Sequence, residues 1–197
     1  MAKKTDDEIR KLTKAMEDAL SGKRYQHTLG VAYTAASMAM KYDVDVKRAV
    51  IAGLLHDCAK CLSDEKLLKI AEKEGLEITE SERKSPYLLH AKVGALYAEK
   101  EYDVDDQEIL SSIKYHTTGR PGMTDLEKIV FVADYIEPSR DKAPNLAKMR
   151  KLAFEDLDKT VRLILKDTLE YLKEKGSEDE IDPMTAVTYE YYRKKEN

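Results

Sequence analysis

The sequence predicts an all-α fold, and three observations carry that prediction. Ala, Leu, Lys and Glu are plentiful, while Gly and Pro number only 8 and 5 in 197 residues, a balance that favours helices. Apolar residues recur at three- and four-residue spacing through almost every segment, the period of a helix with one buried face. No stretch alternates apolar and polar residues convincingly, so strands are not expected.

In chain order, Ile9, Leu12, Met16 and Leu20 form a first stripe, closed by Ser21 and Gly22. A second helix is expected over about 24–41, with His27, Val31, Thr34, Ala35 and Met38 on one face. A third is expected over about 46–58, where Val50, Leu54 and Asp57 or Cys58 share a stripe. Ser63 caps a fourth, DEKLLKIAEKEG, which Gly75 ends. The polar EITESERKS before Pro86 reads as a loop. A fifth helix over about 87–102 gathers His90, Val93, Gly94 and Tyr97, and a sixth over about 105–115 delivers His116 at its C-terminal edge. TTGRPGM is a Gly- and Pro-punctuated loop. Thr124 and Glu127 then form a capping box that opens TDLEKIVFVADYIE, which Pro138 stops. Two further helices follow over about 145–157 and 157–175, and after an acidic linker IDPMT opens a Tyr-rich final helix. With no repeat or composition break, the length suits one buried domain.

Charge narrows the function. A net charge of −4 argues against a general nucleic-acid or membrane binder, so an anionic ligand must meet local cations. The start MAKKTDDEIRKL lacks the apolar core of a signal peptide, and no apolar run approaches a membrane span. The expected location is cytoplasmic. Cys58 and Cys61 make a Cys-x-x-Cys, but the flanks read as helix and no second pair completes a zinc site. They are expected to be bystanders.

Four histidines, His27, His56, His90 and His116, each lie in or at the end of an apolar helical stretch. Asp134 sits inside IVFVADYI and Asp57 follows AVIAGLLH, where an unpaired carboxylate costs several kcal/mol. A divalent metal held by imidazole and carboxylate answers both demands. Four His and two Asp supply one or two first-row ions, and adjacent residues about 100° apart on a helix let His56 and Asp57 face different ions.

At this point a resemblance enters. His27, His56-Asp57 and Asp134 look like the signature of HD-domain metal-dependent phosphohydrolases, with His90 and His116 similar to the extra ligands of the dinuclear subgroup. RYQHTLGV (24–31), HDCAK (56–60), LLHAKVGA (88–95), YHTTGRPGMTDLEKIVFVADYIEPSR (115–140) and IDPMT (181–185) resemble the YqeK family. These are bacterial symmetrical dinucleoside-tetraphosphate hydrolases. The resemblance implies one HD-domain helical bundle over 1–197. Its metal-binding core covers about 20–142, and peripheral C-terminal helices over about 143–197 pack on it and close the substrate pocket. It also implies cleavage of diadenosine tetraphosphate in its middle, giving two ADP.

On that reading His27, His56, Asp57, His90, His116 and Asp134 are metal ligands, with Asp57 the bridge. The cofactor is two divalent or mixed-valent first-row ions, iron first, with manganese, cobalt or zinc as alternatives. They ready a hydroxide between them for attack on phosphorus. Asp57, Lys60 and Arg140 carry catalysis: Lys60 reaches a phosphate or the leaving oxygen, and Arg140 clamps a phosphate with two prongs. His27, His90 and His116 count among the substrate contacts as well. Arg120 and the TTGR backbone form an anion loop in which Thr117 donates its hydroxyl. Tyr135 or Tyr87 lines the nucleoside pocket, and Ile181, Asp182, Pro183, Met184 and Thr185 close over one base. Arg24 supports a nearby acid, and Lys114 is solvated. The partner is then a small nucleotide, not nucleic acid or membrane, with a homodimer left open. Competing readings are an HD-type nucleotidase or phosphodiesterase with another nucleotide, a di-iron oxygenase, and a nucleotide-binding regulatory protein.

Overall fold

The protein is described by a computed structural model covering residues 2–176 and 181–195, and among these no strand occurs. The helices are α1 (Ala2–Ala19), α2 (Gly22–Lys41), α3 (Val46–Leu55), α4 (Asp64–Lys73), α5 (Glu80–Lys84), α6 (His90–Lys100), α7 (Gln107–Lys114), α8 (Asp125–Ile136), α9 (Leu146–Leu152), α10 (Leu157–Glu174) and α11 (Pro183–Lys195), with a 3₁₀ turn at Pro86–Leu89 before α6. No described helix is long and apolar enough to cross a membrane.

The central pair is α2 against α3. Ala32, Ala35 and Ala39 on α2 and Ala49, Ala52 and Gly53 on α3 are all small and buried, and the two backbones approach closely where Gly53 meets Ala32. A Cβ on Gly53 would lie 2.7 Å from Ala32 Cα, and any larger residue there would have to push the helices apart. Helix α8 packs against α2, α3, α7 and α10. That enclosure explains why Leu126 through Ala133 are all buried and why the run reads apolar on every side. One continuous apolar cluster extends from Leu12 and Met16 on α1 to Tyr192 on α11. Helix α10 lies on α8, and α11 lies on α10. A smaller cluster of Ala59, Leu67, Ala71, Leu89 and Val93 seats α4 and the 3₁₀ turn.

Several boundaries depart from the sequence expectation. The third helix ends at Leu55, not near residue 58: the Gly53 carbonyl accepts a hydrogen bond from His56 Nδ1. Residues 56–62 then proceed in tight turns, with Cys58, Lys60 and Leu62 each donating its backbone N–H three residues back. The stretch read as a loop before Pro86 contains α5, opened by a complete capping box between Thr79 and Glu82. The fifth expected helix begins as the 3₁₀ turn Pro86–Leu89 and becomes α-helical only at His90; Pro86 sits in the first turn, where its missing N–H costs no helical hydrogen bond. The helix expected over 145–157 stops at Leu152. The capping box at Thr124, the Ser63 cap and the stop at Gly75, which adopts φ +67°, form as the sequence implied.

Candidate metal centre

Five separate segments bring the six candidate ligands into one cluster. His27 comes from α2, His56 and Asp57 from the turns directly after α3, and His90 from the first residue of α6. His116 follows α7, and Asp134 lies in α8. The four imidazoles form an arc in the order His27, His56, His116, His90, with successive ring centres 5.3, 5.1 and 5.2 Å apart. The Asp57 carboxylate faces that arc. Its Oδ1 lies 3.3 Å from His90 Nε2 and 3.5 Å from His116 Nε2, and its Oδ2 lies 3.6 Å from His56 Nε2. Asp134 Oδ1 is 3.0 Å from His27 Nε2 and 3.9 Å from His56 Nε2.

The orientation of each ring is fixed from behind. His56 Nδ1 donates to Gly53 O, His90 Nδ1 to Tyr87 O and His116 Nδ1 to Ile113 O, each at 2.7 Å. A carbonyl only accepts, so these contacts put the neutral-ring proton on Nδ1 and leave a lone pair on each Nε2, aimed at Asp57. His56 Nε2 is buried without a hydrogen-bond partner, and His27 Nε2, buried too, meets only the Asp134 carboxylate at 3.0 Å, outside good hydrogen-bond geometry. Leaving such groups unsatisfied is costly; a cation between them and the carboxylates removes the cost.

Two sets of donor atoms lie close enough together to hold an ion: His27, His56 and Asp57, and separately Asp57, His90 and His116. Asp57 belongs to both. Imidazole nitrogen and carboxylate oxygen suit divalent first-row ions, and the backing of each imidazole by an outer hydrogen bond is the usual support of a metal ligand. The residues fit a divalent metal centre.

Charge states agree with that use. Burial pulls the pKa of His56 down to about 4 and lowers that of His90, so both rings are neutral near pH 7, the form that binds metal. Burial opposes the charge on Asp57, yet His56, His116 and His90 together hold its carboxyl well below the usual range. For His27, burial is outweighed first by Asp134 and then by Glu137, which raise its pKa. A bound cation displaces the proton so retained.

Three cations stand at the rim. Arg24 Nη1 reaches Asp57 Oδ2 at 2.8 Å. Arg140 Nη2 reaches Asp134 Oδ1 at 2.8 Å, and its Nε donates to the Asp134 carbonyl. Lys60 Nζ lies 3.1 Å from His90 Nε2 and over the Tyr87 ring, and burial lowers its pKa.

Other expected contacts lie elsewhere. Arg120 turns inward, donating from Nε and Nη2 to the two oxygens of buried Glu127 at 2.8 and 2.7 Å, so its two-pronged face is already spent within the fold. The Tyr135 hydroxyl donates to Pro144 O. Lys114 is exposed and lies over the Tyr115 ring. A cavity of about 730 Å³ runs between α6 and α7, and Asp182, Pro183 and Met184 form one wall. Thr117 lines it next to His116, and Leu88 lines it two residues before His90. Ile181 and buried Thr185 flank that wall in sequence. Cys58 is buried, its thiol donating to Gly94 O and pushed up to about 12 by burial, and Cys61 is exposed. Neither belongs to the cluster.

Two residues were absent from the sequence reading. Glu137 is buried and accepts from His27 Nδ1 at 3.0 Å. Arg150 on α9 donates to the carbonyls of Ile136, Glu137 and Arg140, fastening the turn that carries Glu137 and Arg140. The one available signal for Glu137 was its spacing three residues after Asp134, which places both on one helical face.

The model of the HD domain matches residues 24–139. A Bacillus subtilis protein named symmetrical bis(5'-nucleosyl)-tetraphosphatase is 40% identical over 89% of this chain and 92% of its own length. One of the same name from Staphylococcus aureus is 40% identical over 85% of this chain and 86% of its own. A crystal structure from Clostridium acetobutylicum, described as a predicted HD superfamily hydrolase involved in NAD metabolism, superposes with a TM-score of 0.90 at 39% identity. It covers 94% of this chain and 97% of that one.

Proposed function

The chain belongs to the HD-domain family and, within it, to the symmetrical bis(5'-nucleosyl)-tetraphosphatases, and from that premise we propose that it hydrolyses diadenosine tetraphosphate and related dinucleoside polyphosphates at the central anhydride, releasing two nucleoside diphosphates. The observation that carries this reading is one carboxylate, Asp57, common to two sets of donor atoms. His27, His56, Asp57, His90, His116 and Asp134 would hold two divalent or mixed-valent ions, iron first, with manganese, cobalt or zinc suiting the same donors. Divalent ions bound there supply Lewis-acid polarisation of phosphoryl oxygens and lower the pKa of water.

The chain's own residues account for the remainder. The backbone carbonyls behind His56, His90 and His116 keep each Nε2 free of a proton, so no change of tautomer precedes binding. Asp57 spans the two donor sets. Arg24, Lys60 and Arg140 give an acidic protein the local positive field that a polyphosphate needs. When the central phosphorus–oxygen bond breaks, charge gathers on the departing diphosphate oxygen. Lys60, whose ammonium is made more acidic by burial, neutralises that oxygen or lends it a proton. The cavity walled by Asp182, Pro183 and Met184, which Thr117 also lines, offers a nucleoside a partly apolar seat.

The test is product identity. Metal-loaded protein given diadenosine tetraphosphate is expected to release ADP as sole product. Asp57→Asn should abolish turnover while helical circular dichroism persists. Release of AMP with ATP, or undiminished turnover by Asp57→Asn, would overturn the reading.

A further inference from the structure

Among the four imidazoles, His27 is supported differently. The other three each donate from Nδ1 to the carbonyl three residues earlier in the chain. His27 lies inside α2, and its Nδ1 instead meets a carboxylate, Glu137 Oε1, across 110 positions of sequence. We propose that Glu137 is a positioning residue that orients His27 and strengthens it as a donor, making the seat formed by His27, His56 and Asp57 the tighter of the two metal seats. The proposal rests on the metal-centre reading above.

Glu137 is itself held on every side. Ser139 donates to it from both its hydroxyl and its backbone N–H, at 2.6 and 2.7 Å. Arg150 holds its carbonyl at 2.9 Å. The carboxylate lies directly against α2 at Gly30, one turn after His27, where the helix carries no side chain. A Cβ on Gly30 would fall inside contact distance of Glu137 Oε2 and 3.1 Å from its Cδ. Gly30, Glu137 and Ser139 therefore build one seat for one imidazole nitrogen.

The chemistry makes the two seats unequal. A neutral carbonyl behind an imidazole fixes its tautomer. A carboxylate does so too, and it also pushes electron density through the ring toward Nε2, raising the basicity of the metal-binding nitrogen. Outer-shell partners of this kind are worth about tenfold to hundredfold in metal affinity. Only the seat containing His27 has one: His90 and His116 in the other rest on carbonyls.

Stepwise titration of chelator-treated protein with Co²⁺ or Mn²⁺, against a competing fluorescent chelator, reads both seats without reference to turnover. Wild type should show two steps. The isosteric Glu137→Gln should weaken the tighter step about tenfold to hundredfold and leave the other in place. Gly30→Ala, which displaces the carboxylate without altering its chemistry, should weaken the same step. In a His27→Ala background, Glu137→Gln should add nothing, as a double-mutant cycle requires of residues acting through one another. Equal weakening of both steps, or full additivity with His27→Ala, would show a merely structural role and overturn the proposal. Unchanged steps in both variants would overturn it while leaving the metal centre intact. Failure of wild type to take up metal would overturn both.

Discussion

A histidine sealed from water resists protonation, and His56, with no exposed surface, has its pKa pulled down to about 4 by burial. In an unfolded chain the same ring titrates near 6.5. Below that pH the unfolded state binds a proton that the folded state refuses, so this contribution to stability is full above about 6.5 and is lost as pH falls toward 4. At His27, where Asp134 and Glu137 outweigh burial and raise the pKa, the sign reverses: its contribution is present at low pH and lost as pH rises through the folded value. Metal-stripped protein should therefore melt lower at pH 5 than at pH 7. The His56 term is on the order of 2 kcal/mol, or roughly 4–8 °C before the His27 offset, and calorimetry with a His56→Gln control should show the pH dependence flattened. The six cluster residues were legible because acids and imidazoles in apolar runs demand a partner. What stands behind them was not. The carbonyls of Gly53, Tyr87 and Ile113 have no sequence signature, and Glu137, placed before Pro138, reads as an ordinary helix end.

Helix α3 positions its two cluster residues through its contact with α2, and Gly53 is where the two touch most closely. Its carbonyl also holds the His56 ring, so packing and site geometry share one residue. Gly53→Ala should force the helices apart, destabilising the protein by about 1–3 kcal/mol. Thermal melting should fall by roughly 3–10 °C, and metal affinity should fall with it as His56 is displaced. A melting point within about 1 °C of wild type would contradict the close approach. The helical period located nearly every long helix, since a run of ten or more residues shows its stripe clearly. It failed where elements are short. The five residues of α5 are too few to display a period, although Thr79 and Glu82 carry the same capping pattern that identified α8. It also overran α3, because the apolar run continues past Leu55 while the backbone does not.

Across the whole molecule, five segments far apart in sequence meet at the cluster, so a cation bound there ties together elements from α2 to α8. Binding only to the folded state makes stability depend on metal concentration, with about 2.7 kcal/mol gained at a hundredfold excess over Kd. Chelation should lower the melting temperature by roughly 5–10 °C, and the loss should reverse on readdition of metal. Equal melting with and without chelator would count against a cation at this position. The all-α class was legible from composition and period alone. Which helices touch was not, since contacts such as His27 with Glu137 or Arg48 with Asp106 at 2.7 Å join positions that no local pattern links.

The clasp made by Arg150 bears on how the protein is born. Synthesis runs from the N-terminus, so every imidazole and both acids of the cluster leave the ribosome before Arg150 does. Until then the carbonyls of Ile136, Glu137 and Arg140 have only water in place of its guanidinium. The nascent chain thus carries all six cluster residues while the turn behind His27 still lacks the hydrogen bonds that Arg150 brings with α9.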